Sequence, residues 1–249
     1  MKIAITGEGT TDYGKREYGT GEWLPGPAIV YAENIAKEQR LDVQFAPIEK
    51  EDIKKVKLQG RSSNKLSGRG IPARKFMILM HEEKCDAGIF YCDADKETGV
   101  KSSNYSAVNK HFESVYEEVK NGLNSDNAIP MIPLSMIECW LLGDKAALEH
   151  VFEYNIKKKE MPAMPEYVWG SKTDPDSDYP KNYFVRLIRN LDNRLKKYDS
   201  CQEDFNKIAR CSNILTLRES CPLSYERFYT DFVELLEKYK SRIDRSKDV

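Results

Sequence analysis

Residues Ala87-Gly-Ile-Phe-Tyr-Cys92 form a nearly unbroken apolar run that ends abruptly in Asp93-Ala94-Asp95-Lys96-Glu97. A strand can be apolar on both sides only where both faces of its sheet are covered, and a parallel sheet between helices provides that cover. The rest of the first half agrees. A first strand, Lys2 to Thr6, runs into Gly7-Glu8-Gly9-Thr10-Thr11-Asp12. A helix is predicted after Pro25, with Ile29, Val30, Ala32, Ile35 and Ala36 on one face. Leu41 to Ala46 alternates as a second strand stopped by Pro47. Pro72 opens a helix with Phe76, Met77, Leu79 and Met80 turned inward, and the apolar run is the third strand. An amphipathic helix is expected over about Ser106 to Leu123, then a fourth strand, Ala128 to Leu134, whose two prolines suit a sheet edge or a short strand. The expected fold is α/β, a Rossmann-like parallel sheet flanked by helices.

After Leu134 no convincing strand follows. Helices are expected at Met136 to Leu142, Lys145 to Glu153, Tyr183 to Lys197, Gln202 to Ala209 and Ser224 to Ile243, with a long Pro-, Asp- and Tyr-rich loop from Lys159 to Pro180. The chain therefore divides into an α/β part, 1–153, and a helical C-terminal part, 154–249. No run reaches the roughly 20 apolar residues of a membrane span. The amino terminus turns polar after Thr6, too early for a secretory apolar segment. The expected compartment is the cytoplasm, without a membrane partner.

In a parallel sheet the carboxyl ends of the strands share one edge, where sites are built. Glu8, in its Gly-Glu-Gly turn, and Asp93 and Asp95 are delivered there. On an extended segment Asp93 and Asp95 project to one side, with Glu97 in the same spacing. Clustered carboxylates repel unless a cation neutralises them, and hard cations take oxygen ligands. Glu138 follows strand four and is a further candidate; Ser135-Met-Ile-Glu138 also reads as a capping box. Thr10, Thr11 and Asp12 equally suit a helix start, and Asp93-x-Asp95 an Asp-rich turn. Asp144, after Gly143, is expected to cap the next helix. The acids then give a Mg²⁺ or Mn²⁺ site with Glu8, Asp93, Asp95, Glu97 and Glu138 as ligands, and Glu8, Asp93 and Asp95 as catalytic groups acting on phosphate esters.

Lys+Arg (39) nearly balances Asp+Glu (40), for a net charge of −1, so any case for nucleic acid must be local. Between Lys54 and Lys75 lie Lys54, Lys55, Lys57, Arg61, Lys65, Arg69, Arg74 and Lys75 with no intervening acid, interspersed with glycine and serine. Such a segment focuses positive potential and suits a phosphate backbone, with Lys96 adding charge beside the acids; it equally suits a solvated loop. Six cysteines without a C-x-x-C pair disfavour a zinc ribbon. His81, His111 and His150 are scattered, so a zinc hydrolase is disfavoured. The Gly7–Asp12 turn lacks the third glycine of a dinucleotide fingerprint, and Glu8 would face a pyrophosphate.

The order Glu8-Gly9-Thr10-Thr11-Asp12 after strand one, then Asp93-x-Asp95 after strand three, resembles the TOPRIM fold of topoisomerases, primases and overcoming-lysogenization-defect (OLD) nucleases. With Ile137-Glu138-Cys-Trp140-Leu-Leu-x-Asp144 added, the pattern is similar to a bacterial TOPRIM-like family without an assigned activity, related to the OLD nucleases and often associated with mobile or phage-defence loci. The resemblance covers about Met1 to Glu153. It implies that Glu8 takes the place of the TOPRIM glutamate and that Asp93 and Asp95 hold Mg²⁺. Glu97 would stand in for a third acid. The implied activity is a Mg-dependent nuclease acting on DNA or RNA, with any ATPase supplied by a separate partner protein. Two other readings stay open: a non-catalytic TOPRIM-like subunit docking through its C-terminal helices, and a mononucleotide-binding domain.

Overall fold

The computed structural model describes residues 1–58, 66–95 and 104–247. Four parallel strands among them make one sheet: β1 (Lys2–Thr6), β4 (Gln44–Pro47), β5 (Ala87–Tyr91) and β6 (Ala128–Met131), in the spatial order β4-β1-β5-β6. A separate antiparallel hairpin, β2 (Gly14–Arg16) and β3 (Trp23–Pro25), interrupts the path from β1 to the first helix. Mixed α/β architecture around a parallel sheet is thus the fold.

The two central strands are the most apolar. Every residue of β5 is buried, and its side chains alternate between two cores. Ala87, Ile89 and Tyr91 face one core together with Ile3 and Ile5. Phe90 and Cys92 face the other with Ala4. The shorter strands β4 and β6 form the edges, and they hold Pro47 and Pro130, residues that cannot donate to a neighbouring strand.

The helices follow from the connections. α1 (Pro27–Glu38) links β1 to β4 on the first core's face; its buried residues include Ile29, Val30, Ala32, Ile35 and Ala36. α2 (Lys50–Lys55) and α3 (Gly70–Glu82) lead from β4 across to β5, and α4 (Tyr105–Leu123) leads on to β6; both α3 and α4 pack on the second core's face. Crossovers of one hand must change face when the chain changes direction across the sheet. The direction changes between β1 and β5. That is the topological switch point, where a crevice opens beyond the carboxyl ends of the strands.

The C-terminal half comprises α5 (Ile137–Leu141), α6 (Lys145–Phe152), α7 (Pro180–Leu191), α8 (Gln202–Cys211), α9 (Ile214–Ser220) and α10 (Ser224–Lys247). These helices pile onto α1 and the sheet face beneath it. One continuous core joins Ile3, Ile89 and Met131 to Phe184, Phe205, Tyr225 and Phe232. The change of element type at residue 153 is therefore crossed by the packing.

Several boundaries move from their sequence-based positions. The second strand starts at Gln44 and includes Pro47, which pairs with Ile5, because the ladder to β1 sets its limits. The fourth stops at Met131. α7 begins at Pro180 and ends at Leu191, where Asp192 turns the chain and accepts from Arg194 N–H. The hairpin, α2 and α9 are absent from the sequence-based reading; each of their elements is at most seven residues long, too short for an apolar pattern to repeat convincingly.

Candidate metal and phosphate site

The turn after β1 is closed by backbone: the Asp12 and Tyr13 N–H groups donate to Gly9 O at 3.1 and 3.2 Å. Gly7 is required by close packing. A Cβ there would stand 2.8 Å from the Tyr13 ring and 2.9 Å from the Tyr91 ring. The turn is then pinned to α1, whose Ala28 N–H donates to Asp12 O at 2.9 Å. α1 starts with Gly26 and Pro27 and has no side-chain cap, so this carbonyl serves one of its free amides. Asp12 is thereby fixed at the carboxyl edge of β1.

Asp93 arrives from β5. The ladder continues past the strand, with Cys92 N–H donating to Met131 O and Ala94 N–H to Pro133 O, which holds Asp93 between two fixed peptides. Its Oδ1 accepts the Tyr91 hydroxyl at 2.7 Å. Glu138 arrives in the first turn of α5 and is 4% exposed. Its Oε2 is buried with no hydrogen-bond partner among the described residues.

These three carboxylates lie near enough for their charges to act on one another. Burial, and after it the charge of Glu138, pushes Asp12 up to about 7, against the pull of Lys181. Burial, then Asp12, raises Asp93 well above the usual carboxylate range, with Glu138 and Asp95 adding to it. Burial also raises Glu138, with Lys181 opposing. A buried carboxylate left without a hydrogen bond is costly, and three that repel each other are costlier.

Glu8 and Asp95 form an outer group. Both are exposed and both sit near Arg69. Arg69 Nη2 donates to Asp93 O at 2.8 Å, to Ala94 O at 3.4 Å and to Asp95 Oδ2 at 3.2 Å. Arg69 is itself held by Glu118 of α4, whose Oε2 accepts its N–H at 3.0 Å. The extended D-x-D geometry does not form. Asp95 adopts φ 58°, in the left-handed region, so its carboxylate turns toward Arg69 instead of joining Asp93. His111 Nε2 stands 3.0 Å from Ala94 O, bringing one scattered histidine to this segment.

Of the residues expected at the site, Asp93 and Glu138 meet in the inner group, and Glu8 and Asp95 lie in the outer one. Arg61, Lys65, Lys96 and Glu97 lie outside the described residues. The other basic residues separate. Lys54 and Lys55 lie on α2, in ion pairs with Glu51 and Asp52 one turn earlier. Lys57 is exposed beyond α2. Arg74 and Lys75 lie on α3, and Arg74 Nη2 donates to Asn121 O of α4. Of the described residues in this basic set, only Arg69 is hydrogen-bonded to one of the acids. The capping box at Ser135 is also absent: Met136 is the N-cap, and Ser135 Oγ lies 2.6 Å from Cys139 Sγ.

Sequence reasoning missed Asp12 as a site residue, having read it as a helix start. It also missed Lys181 and Tyr179. Burial and the nearby charges of Glu138, Asp95 and Asp93 push the Tyr179 phenol up to about 12. Nothing in local sequence marks a tyrosine and a lysine 40 residues beyond Glu138 as its neighbours.

The donor set is carboxylate oxygen throughout, the chemistry of a Mg²⁺ or Mn²⁺ site. As they stand, no group of three or more His, Cys, Asp or Glu among the described residues is gathered into a coordination shell. What fits a cation is the orphaned Glu138 oxygen beside two raised aspartates. No helix among the described residues is long and apolar enough to cross a membrane. Comparison with family models, curated proteins and solved structures returned no match.

Proposed function

We propose that the chain is a Mg²⁺- or Mn²⁺-dependent phosphodiesterase acting on nucleic acid, of TOPRIM-like type. The observation that carries this reading is the buried Glu138 Oε2, unpartnered among the described residues, at the carboxyl edge to which β1 and β5 deliver Asp12 and Asp93. Asp12, Asp93 and Glu138 would hold the cation; Glu8 stands outside them, nearer solvent, where a group that moves a proton to or from water is useful. A bound divalent ion supplies charge stabilisation at the scissile phosphate and acidifies water. The Tyr91 hydroxyl fixes one oxygen of Asp93. Arg69 ties down the two peptide carbonyls that follow that side chain, so the acid is held in place before substrate arrives. The TOPRIM-like resemblance extends the reading to phage defence with a separate ATPase partner.

The test is cleavage of DNA and RNA in Mg²⁺ and Mn²⁺ by the intact chain and by Asp93→Asn and Glu138→Gln. Both substitutions keep shape and remove charge. Loss of activity by about 100-fold or more in each, with calorimetric Mn²⁺ binding weakened in parallel, is expected on the scale of a removed catalytic interaction. Cleavage unchanged in both variants sinks the proposal.

The ion pair of Asp95 with Arg69 favours a second reading, a TOPRIM-like subunit that binds a partner and does no chemistry. Intact protein that binds no divalent ion would select it.

A further inference from the structure

Arg69 is held at both ends. Glu118 of α4 clamps the turn that leads into α3: its Oε1 accepts the Ser67 hydroxyl at 2.8 Å and its Oε2 the Arg69 N–H at 3.0 Å. Gly68, at φ 42°, lets the turn fold onto that carboxylate, where a Cβ would stand 2.5 Å from Oε1. The Gly70 N–H closes the turn by donating to Ser67 O at 2.9 Å. At the far end of the side chain, Nη2 donates to Asp93 O at 2.8 Å. The guanidinium therefore lies against the peptide of Asp93, fixed there by hydrogen bonds.

Most of that guanidinium's donors are unspent. Among the described residues, its hydrogen bonds all come from Nη2, to Asp93 O, Ala94 O and Asp95 Oδ2. Nε is buried with no partner among those residues. An arginine carries five N–H donors in a planar fork that fits two oxygens of one phosphate. Among the described residues its ion pair is with Asp95, and that pair is weak. The Asp95 side chain is 54% exposed and reaches Nη2 at 3.2 Å with one oxygen. Exposed pairs of this kind contribute little. The backbone around Asp95 is fixed independently: Ala94 N–H donates to Pro133 O at 3.0 Å, and His111 Nε2 stands 3.0 Å from Ala94 O. The Asp95 side chain can thus leave Arg69 without moving Asp93.

We propose that Arg69 receives a phosphate of the substrate strand, and that the Asp95 carboxylate holds that place until the strand arrives. The inference rests on the phosphodiesterase reading of the edge. It adds the residue that takes the phosphate and the one that competes with it. A phosphodiester offers two non-bridging oxygens to the fork, whereas Asp95 engages one nitrogen with one oxygen. Exchange trades a weak single contact for a paired one, on an arginine already held in place. The proposal gives Asp95 a signature opposite to that of a metal ligand. Removing the charge of a competitor helps the substrate bind; removing a ligand does not.

The probe is a short fluorescent single-stranded oligonucleotide, measured by anisotropy on the intact chain with Ca²⁺ in place of Mg²⁺. Asp95→Asn should tighten binding about 3-fold, the scale of one exposed ion pair. Arg69→Gln should weaken it about 10-fold or more, the scale of hydrogen bonds to a charged group. The two effects must be coupled: in the Arg69→Gln background, Asp95→Asn should bring no gain. Arg69→Lys, which keeps the charge and loses the fork, serves in the cycle if Arg69→Gln does not fold. Binding unchanged or weakened in Asp95→Asn overturns the proposal. So does a gain that persists without Arg69, since that would be general charge repulsion. A gain for inorganic phosphate with none for the oligonucleotide overturns it as well. Mn²⁺ titration keeps the two readings apart. Wild-type protein that binds Mn²⁺ but not the oligonucleotide overturns the exchange and spares the metal site. Coupled Asp95 and Arg69 effects without any Mn²⁺ binding support the exchange and remove the metal site.

Discussion

Asp12 ordinarily titrates near 3.8, and its folded surroundings push it up to about 7. Between those values the folded chain keeps a proton that the unfolded chain has lost. Stability must then fall as pH rises through this window, by at most about 4 kcal/mol from this residue. Asp93 and Glu138 shift in the same direction and for the same first cause, burial. Thermal melts in EDTA should show a melting temperature that declines from pH about 4 to about 7, with a shallower decline in Asp12→Asn. A flat or rising profile in that window would contradict the geometry of the inner acids. Mg²⁺ should restore more stability at the alkaline end, where the carboxylates no longer hold protons in its place. In the sequence, Glu8 and Asp93 looked alike because each follows a strand. Burial separates them, and burial depends on what the rest of the chain lays over the edge.

α5 is only five residues long, yet it places Glu138. Its position comes from Trp140, which is fully buried against Tyr31 of α1 and against Tyr225 and Phe228 of α10, with ring centroids 5.1 to 5.9 Å apart. The Trp140 indole N–H donates to Ser224 Oγ at 2.8 Å. Ser224 starts α10, and there the buried Glu166 takes the place of a local cap. Its carboxylate accepts Leu223 N–H at 3.0 Å, Ser224 N–H at 2.6 Å and the Ser224 hydroxyl. A carboxylate at a helix start satisfies free amides and favours the dipole. Glu166→Ala should therefore cost roughly 2–3 kcal/mol in urea unfolding, as expected for hydrogen bonds to a charged group, and lower metal affinity through α5. A loss under about 0.5 kcal/mol, the range of a neutral surface change, would show that α10 is placed by its apolar face alone. Asp144 is the contrasting case, since its capping role was legible. It follows Gly143 and precedes an apolar run, and its Oδ1 does accept Ala146 and Ala147 N–H of α6. Its Oδ2 also accepts Asn213 N–H, 69 residues away, which no local pattern could announce.

The sheet, α1 and the C-terminal helices share one apolar core on the α1 side. α8 packs on α1 and α6, and α10 lies along α1 and β6. From α8, Gln202 and Asn206 donate side-chain N–H groups to Pro25 O at 2.9 and 2.8 Å, bracing the hairpin that follows the Gly7–Asp12 turn. A fragment ending at residue 153 would strip Tyr31 of Tyr225 and Trp140 of Tyr225, Phe228 and Ser224. Expressed alone, residues 1–153 should lack a cooperative thermal transition and expose apolar surface to a hydrophobic dye, whereas the intact chain should unfold in a single step. A fragment that melts cooperatively would mean that the sheet and its own helices suffice. The same packing explains why the site draws on more than the sheet: Asp12 and Asp93 follow strands β1 and β5, while Glu138 comes from α5, on which α7 packs.

Local pattern alone determined the central strands, α1, α3 and α4, and the delivery of acids to one edge. Those features follow from the period of apolar residues and from the positions of glycine and proline, which act over a few residues. Only the tertiary structure decided which acids are buried together. It brought Asp12 near Asp93 and Glu138, turned Asp95 outward to Arg69, and left Glu138 Oε2 without a hydrogen-bond partner among the described residues. The physical reason is that desolvation and charge coupling depend on distances in space, and those distances are set by helices that meet the sheet 50 to 200 residues away along the chain.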